Sequence, residues 1–170
     1  MCIRDRALHI ASFMKNKGKI FALDLHEWKL KELRKRATRA GIDIIENRPI
    51  VNQKVIKRLE ARADRLLLDV PCSGLGVLRR NPDAKWKLDK DFLDRVRGTQ
   101  QKILQAYPRM LKPGGKLVYA TCSILPSENQ EQVQAFLQKN DNFTLVKEKQ
   151  ILPQDNGFDG FYMALIEKNV

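Results

Sequence analysis

Histidine and cysteine are both scarce in this chain, with two and three residues in 170. His9 and His26 cannot build a multi-histidine metal centre, and cysteines without regular spacing make neither a disulfide framework nor a zinc site. No run approaches the roughly 18–20 apolar residues that cross a bilayer. Residues 1–20 hold no signal-peptide core, because Ala7 to Met14 is interrupted by His9 and Ser12 and followed by lysines. Low-complexity segments and internal repeats are absent. These absences predict a protein of the reducing cytoplasm, with no metal and no membrane partner.

Acidic residues are the other shortage. Asp and Glu number 20 against 32 Lys and Arg, a formal net charge of +12, which suits a polyanionic partner such as RNA. The densest basic cluster is Lys29, Lys31, Lys35, Arg34, Arg36 and Arg39. It falls on a helix-period segment whose apolar positions are Leu30, Leu33, Ala37 and Ala40. A solvated helix face and a nucleic-acid contact explain it equally well.

Strand-like and helix-like segments alternate along the chain. Helices are expected over 7–17, 27–40, 51–62, about 90–110 (broken near Pro108) and about 127–139, the last with Ser127 as N-cap. Strands are expected over 19–25, 42–45, 66–70, 116–120, 143–148 and 161–167, with Lys112-Pro-Gly-Gly115 as the turn that launches the fourth. Repeated β-α units predict an α/β, doubly wound, mostly parallel sheet, and the last two strands, joined without a helix, an antiparallel edge. A length of 170 residues suits one domain.

Two short motifs carry the chemistry. Asp69-Val-Pro-Cys-Ser-Gly74 and Thr121-Cys122-Ser123 each follow an apolar run that reads as a buried parallel strand. Ligands of open α/β sheets sit at the carboxyl ends of the strands. A lone cytosolic cysteine is usually a small buried hydrophobe. Here Pro71 cannot continue a ladder, so Cys72 begins a loop, and the strand pattern breaks after Cys122. Both thiols can therefore face one crevice.

The stretch from Leu66 to Ser127 resembles the RsmB/NOP (Fmu, NSUN) family of RNA 5-methylcytosine methyltransferases. Matching text includes the two cysteine motifs, Gly76-Val-Leu-Arg-Arg-Asn-Pro-Asp83, Lys85-Trp86, Leu111-Lys-Pro-Gly-Gly115, Glu128-Asn129 and Asp159-Gly-Phe-Tyr162. The resemblance extends from about Ala7, which implies a catalytic domain over 7–170 and six unrelated residues before it. It also implies a Rossmann-like class I methyltransferase sheet, S-adenosylmethionine as cofactor, and rRNA as substrate, with tRNA the alternative. The family's first strand and glycine-rich cofactor loop should precede Ala7, where Met1 to Arg6 contain no glycine. This predicts an N-terminally truncated sequence with weak cofactor binding.

By the same resemblance Cys122 is the nucleophile that adds to carbon 6 of cytosine, and Cys72 helps release the methylated base. Asp69 is placed to hydrogen-bond the cytosine ring and is also a cofactor contact. Asp24, ending its strand, is expected to accept the cofactor's ribose hydroxyls. Where the family has an aspartate near the adenine, this chain reads Glu46-Asn47-Arg48, so Asn47 is the candidate. Arg79, Arg80 and Lys85 are candidate RNA contacts. An exocyclic-amine methylase is disfavoured because Asp69-Val-Pro-Cys72 replaces the Pro-Pro-aromatic motif that chemistry requires. A cysteine hydrolase lacks a histidine partner. The remaining rival is a basic RNA-binding fragment without catalysis.

Overall fold

The computed structural model describes residues 3–170, apart from the side chains at positions 3, 4, 87 and 156. The chain forms two compact units, Met1–Arg58 and Leu59–Val170.

The first unit contains α1 (Ile3–Phe13), β1 (Ile20–Asp24), α2 (Glu27–Arg39), β2 (Ile45–Pro49) and α3 (Lys54–Arg58). Strands β1 and β2 pair in parallel, Ile20 opposite Ile45 and Asp24 opposite Pro49. Ala7, Ala22, Leu30 and Leu33 form the core. Helix α1 starts earlier than its apolar pattern suggests and stops at Phe13, because Lys15 and Asn16 adopt left-handed backbone angles. Strand β2 lies three residues later than expected. The Ile42 N–H is tied back to the Ala37 carbonyl at 2.9 Å, so the chain cannot enter the sheet until Ile45. Its polar residues survive there through charge pairing. Glu46 bonds Lys19 at 2.6 Å and Arg48, whose guanidinium lies 4.7 Å from the Phe21 ring centroid.

On α2 the apolar stripe is Leu30, Leu33 and Ala37; Ala40 caps the helix and is exposed. Four of the six clustered cations are drawn into ion pairs: Lys29–Asp24, Lys31–Glu27, Lys35–Glu32 and Arg36–Asp5. The cluster is less a bare cationic face than its sequence suggests.

The second unit holds β3 (Ala63–Asp69), α4 (Lys90–Ala106), β4 (Leu111–Thr121), α5 (Gln130–Leu137), β5 (Phe143–Ile151), α6 (Pro153–Asn156) and β6 (Phe161–Lys168). The sheet order is β3-β4-β6-β5, with β3 parallel to β4 and the other two pairings antiparallel. The expected parallel strands and antiparallel edge are both present. Leu104, Leu111, Leu117, Tyr119, Val133, Phe136, Tyr162 and Ile166 form its core. Strand β3 is the edge of this sheet, so Leu68 is buried while Leu67 is 38% exposed, a correction to the fully buried strand its leucines suggest.

Lys112-Pro-Gly-Gly115 does not precede β4 but bulges out of it. Ala63 faces Leu111 and Arg65 faces Lys116, so the four residues loop outward between two ladder positions. Gly114, at φ +72°, supplies the left-handed turn that this excursion needs. Ser127 is likewise not an N-cap. It lies within a 3₁₀ turn, Pro126–Glu128, and α5 begins after Asn129. Helix α3 is shorter than expected, because the Ala61 and Arg62 N–H groups donate to Arg109 and Met110 carbonyls.

Candidate active site

Parallel pairing fixes the site before any side chain does. Asp69 lies opposite Ala120, so the carboxyl ends of β3 and β4 emerge side by side. Each strand then delivers a cysteine within three residues. The Cys72 and Cys122 sulfurs lie 3.2 Å apart, both half-buried. Pro71 has no N–H to extend the ladder, and its carbonyl instead accepts from Gln100 Nε2 at 2.8 Å. Two backbone bonds clamp the following loop. The Gly76 N–H donates to the Cys122 carbonyl at 2.9 Å, and the Gly160 N–H to the Gly76 carbonyl at 2.7 Å.

Below the thiols lies a polar cluster that the sequence reading left without roles. Ser73 and Ser123 each follow a site cysteine, and both are buried. The fully buried Glu128 carboxylate accepts from the Ser73 N–H at 2.8 Å, the Ser73 hydroxyl at 2.5 Å, the Ser123 hydroxyl and Gln100 Nε2 at 3.3 Å. Neighbouring Asn129 accepts from Thr121 Oγ1 and donates to the Ser123 carbonyl. One signal was available in the sequence. Gln100 occupies the middle of the Val96-Gln100-Leu104 stripe on α4, a polar residue where the helix period demands an apolar one.

The Cys72 thiol is held far above the ordinary thiol range, first by its hydrogen bond to Cys122 and then by burial. Burial also raises Tyr119 and Tyr162. Their hydroxyls donate to the Glu128 carbonyl at 2.7 Å and to Glu148 Oε2 at 2.6 Å. All three groups bind their protons more tightly when folded than unfolded. Their contribution is complete below the unfolded values of 9.0 for the thiol and 10.0 for the phenols, and is lost as pH rises beyond them. Melting temperature should therefore be flat from neutrality to about pH 9 and fall steeply above it. Thermal denaturation from pH 7 to 11 measures this; an unchanged melting temperature at pH 11 contradicts it.

The other sequence candidates are placed as follows. Asp69 ends β3 and is exposed. Arg79 Nη1 donates to the Gly157 carbonyl at 3.0 Å, and Arg80 pairs with Asp159, so both arginines tie their loop to residues 157–159. Arg79 also borders a cavity of about 280 Å³ lined by Gly76, Ile124 and Phe158. Lys85 is exposed with its ammonium 4.7 Å from the Trp86 ring centroid.

Asp24 and Asn47 belong to the first unit. Asp24 ends β1, its Oδ1 accepting from the His26 N–H at 2.8 Å and its Oδ2 lying 3.7 Å from Lys29 Nζ. Asn47 sits within β2 rather than beyond a strand end. Its Nδ2 donates to the Leu30 carbonyl at 2.6 Å, and its Oδ1 is buried without a hydrogen-bond partner. No helix among the described residues is long and apolar enough to cross a membrane. No cluster of metal-ligating side chains occurs among them either.

Comparison with known proteins agrees with this geometry. A family model described as 16S rRNA methyltransferase RsmB/F matches residues 5–167. A Bacillus subtilis protein described as a probable ribosomal RNA small subunit methyltransferase B is 38% identical over 96% of this chain and 40% of its own length. The Vibrio cholerae ribosomal RNA small subunit methyltransferase B is 49% identical over 62% of this chain and 26% of its own length. The crystal structure of NSun6 from Pyrococcus horikoshii with SFG superposes with a TM-score of 0.84 at 25% identity, over 96% of this chain and 44% of that one. The chain thus spans about two fifths of the length of the Bacillus relative. A family match over residues 5–167, nearly the whole chain and including both cysteine-bearing strands, shows that the chain belongs to the 16S rRNA methyltransferase RsmB/F family.

Proposed function

We propose that this chain carries the base-binding and thiol centre of an RNA (cytosine-5)-methyltransferase that acts on small-subunit rRNA. The observation that supports this reading most directly is the pair of sulfurs 3.2 Å apart at adjacent strand ends. Carbon 5 of cytosine is a poor nucleophile. Addition of the Cys122 thiolate to carbon 6 forms a C–S bond, pushes the ring electrons toward N3 and makes carbon 5 enamine-like. Asp69, acting as a carboxylic acid, donates its proton to N3 and accepts from the amino group, so the electron pair pushed onto N3 is neutralised. Once carbon 5 carries the methyl group, its proton passes to water, the ring double bond is restored, and the C–S bond breaks with its electron pair returning to Cys122 as the thiolate. Cys72 assists this release. Its raised pKa supports a thiol that stays protonated beside Cys122 in the resting site.

S-adenosylmethionine, when bound, supplies the methyl group as a sulfonium electrophile. Asp24 fits a role in holding it. A carboxylate offers about four lone-pair sites, and the His26 N–H and Lys29 leave others for ribose hydroxyls. Asn47 gives its Nδ2 to the Leu30 carbonyl, which leaves Oδ1, buried without a hydrogen-bond partner, as the acceptor it could offer the adenine.

A covalent protein–RNA complex that accumulates in Cys72→Ala, survives denaturing gels and disappears when Cys122→Ala is added tests the proposal; its absence in Cys72→Ala with cytosine-containing rRNA and cofactor refutes it. RNA titrations supply a second check. With a net charge of +12, affinity should fall by at least about tenfold between 50 and 200 mM salt through counterion release. Salt-independent binding contradicts a phosphate-led interface.

A further inference from the structure

We propose that Glu128 is the positioning residue of the dithiol, the group that sets the distance between Cys72 and Cys122. This deepens the proposed function and rests on its reading of the cysteine pair as the reacting centre. A buried carboxylate is costly unless its lone pairs are filled. Here they are filled by hydroxyl, amide and backbone N–H donors rather than by a cation. Those donors come from both cysteine loops. Ser73 is the residue after Cys72, and Ser123 the residue after Cys122. One side chain thereby locks the two loops to a single point.

The hydrogen-bond directions make the lock specific. Ser123 Oγ accepts from the Leu125 N–H at 3.1 Å and Ser73 Oγ from the Leu75 N–H at 3.4 Å. Both hydroxyls lie within donating distance of Glu128 Oε2, and their oxygens lie 3.2 Å from each other. The Ser73 N–H and Gln100 Nε2 point at Oε1, and the backbone N–H cannot be reversed. The position therefore needs a group that only accepts. Glutamine has the same shape, yet its NH₂ would face the two hydroxyl protons at the Oε2 site. The serines would have to turn away, releasing both cysteine loops.

The thiol pair itself reports the geometry, without methyl transfer. In a glutathione buffer, the two cysteines form a disulfide as glutathione disulfide is reduced to two glutathione thiols, so atoms and electrons balance. The equilibrium constant measures how well the sulfurs are held together. It is read by alkylation and mass spectrometry of the full chain in a Cys2→Ser background. Glu128→Gln should lower it by about tenfold or more, as expected for a misplacement near 1 Å. Adding Ser123→Ala removes one opposed hydroxyl and should recover much of the loss. Tyr119→Phe is the control for a merely structural effect. It removes the bond to the Glu128 backbone carbonyl, so it lowers the melting temperature but leaves the thiol equilibrium unchanged.

A wild-type equilibrium in Glu128→Gln overturns the proposal, and so does an equal loss in Tyr119→Phe. If Glu128→Gln does not fold, Ser123→Ala alone decides: a smaller loss in the same direction supports the lock, and a wild-type value overturns it. Failure of Cys72→Ala to form an RNA adduct would remove the functional reading while leaving this measurement intact.

Discussion

Cys122→Ala loses RNA methylation by about 10⁴-fold or more, the scale seen when a covalent nucleophile is removed. The assay uses this chain completed with the portion of the Bacillus subtilis relative that it does not match, and rRNA with labelled cofactor. The other free thiol among the described residues is Cys72, whose hydrogen bond to Cys122 and burial favour its protonated form. Cys72→Ala gives a different result. Addition proceeds, release is impaired, and a protein–RNA adduct accumulates through Cys122 as a slow band on denaturing gels. Free turnover by Cys72→Ala, or an adduct surviving in Cys122→Ala, reverses the roles given to the two thiols.

Gly76→Ala is the second large effect, and it comes from backbone rather than chemistry. A Cβ at Gly76 would lie 2.2 Å from the Gly160 carbonyl oxygen and 2.7 Å from that of Cys122. Neither neighbour is a flexible side-chain end, so whole segments must separate. Overpacking of this kind costs about 3 kcal/mol or more. For a chain of this size that is a drop of about 6–12 °C in melting temperature. The Cys122 loop moves with it, so the disulfide equilibrium of the thiol pair should fall as well. Gly98→Ala is the matched contrast. It lies in the interior of α4 with nothing within 4 Å of its added methyl, and should stabilise by about 0.5–1 kcal/mol. A melting temperature for Gly76→Ala equal to that of the parent would show that the three segments are not packed as described.

Much of the site was legible because its signals are local. Pro71 ends a ladder wherever it stands, and the apolar runs before Cys72 and Cys122 name their strands without tertiary context. Two parallel strands then place two thiols at one edge. The basic excess, the α/β alternation and the antiparallel close likewise follow from composition and period. The second strand was expected over 42–45 rather than Ile45–Pro49 because its polar residues hide the pattern; Lys19, just before β1, and Phe21 within it compensate Glu46 and Arg48. Asn47 falls within that strand, and its bond to the Leu30 carbonyl depends on how α2 packs over β2.

The amino-acid sequence by itself determined the family, the strand ends and the identity of the two thiols, because these depend on residues adjacent in the chain. Tertiary structure alone decided the 3.2 Å separation of their sulfurs. That distance rests on Glu128, Ser73, Ser123 and Gln100, which are up to 55 residues apart in sequence and meet only when the sheet, α4 and the turn before α5 close on one another. A buried carboxylate shows no local pattern. Its meaning lies in the donors that surround it, and those are assembled only by folding.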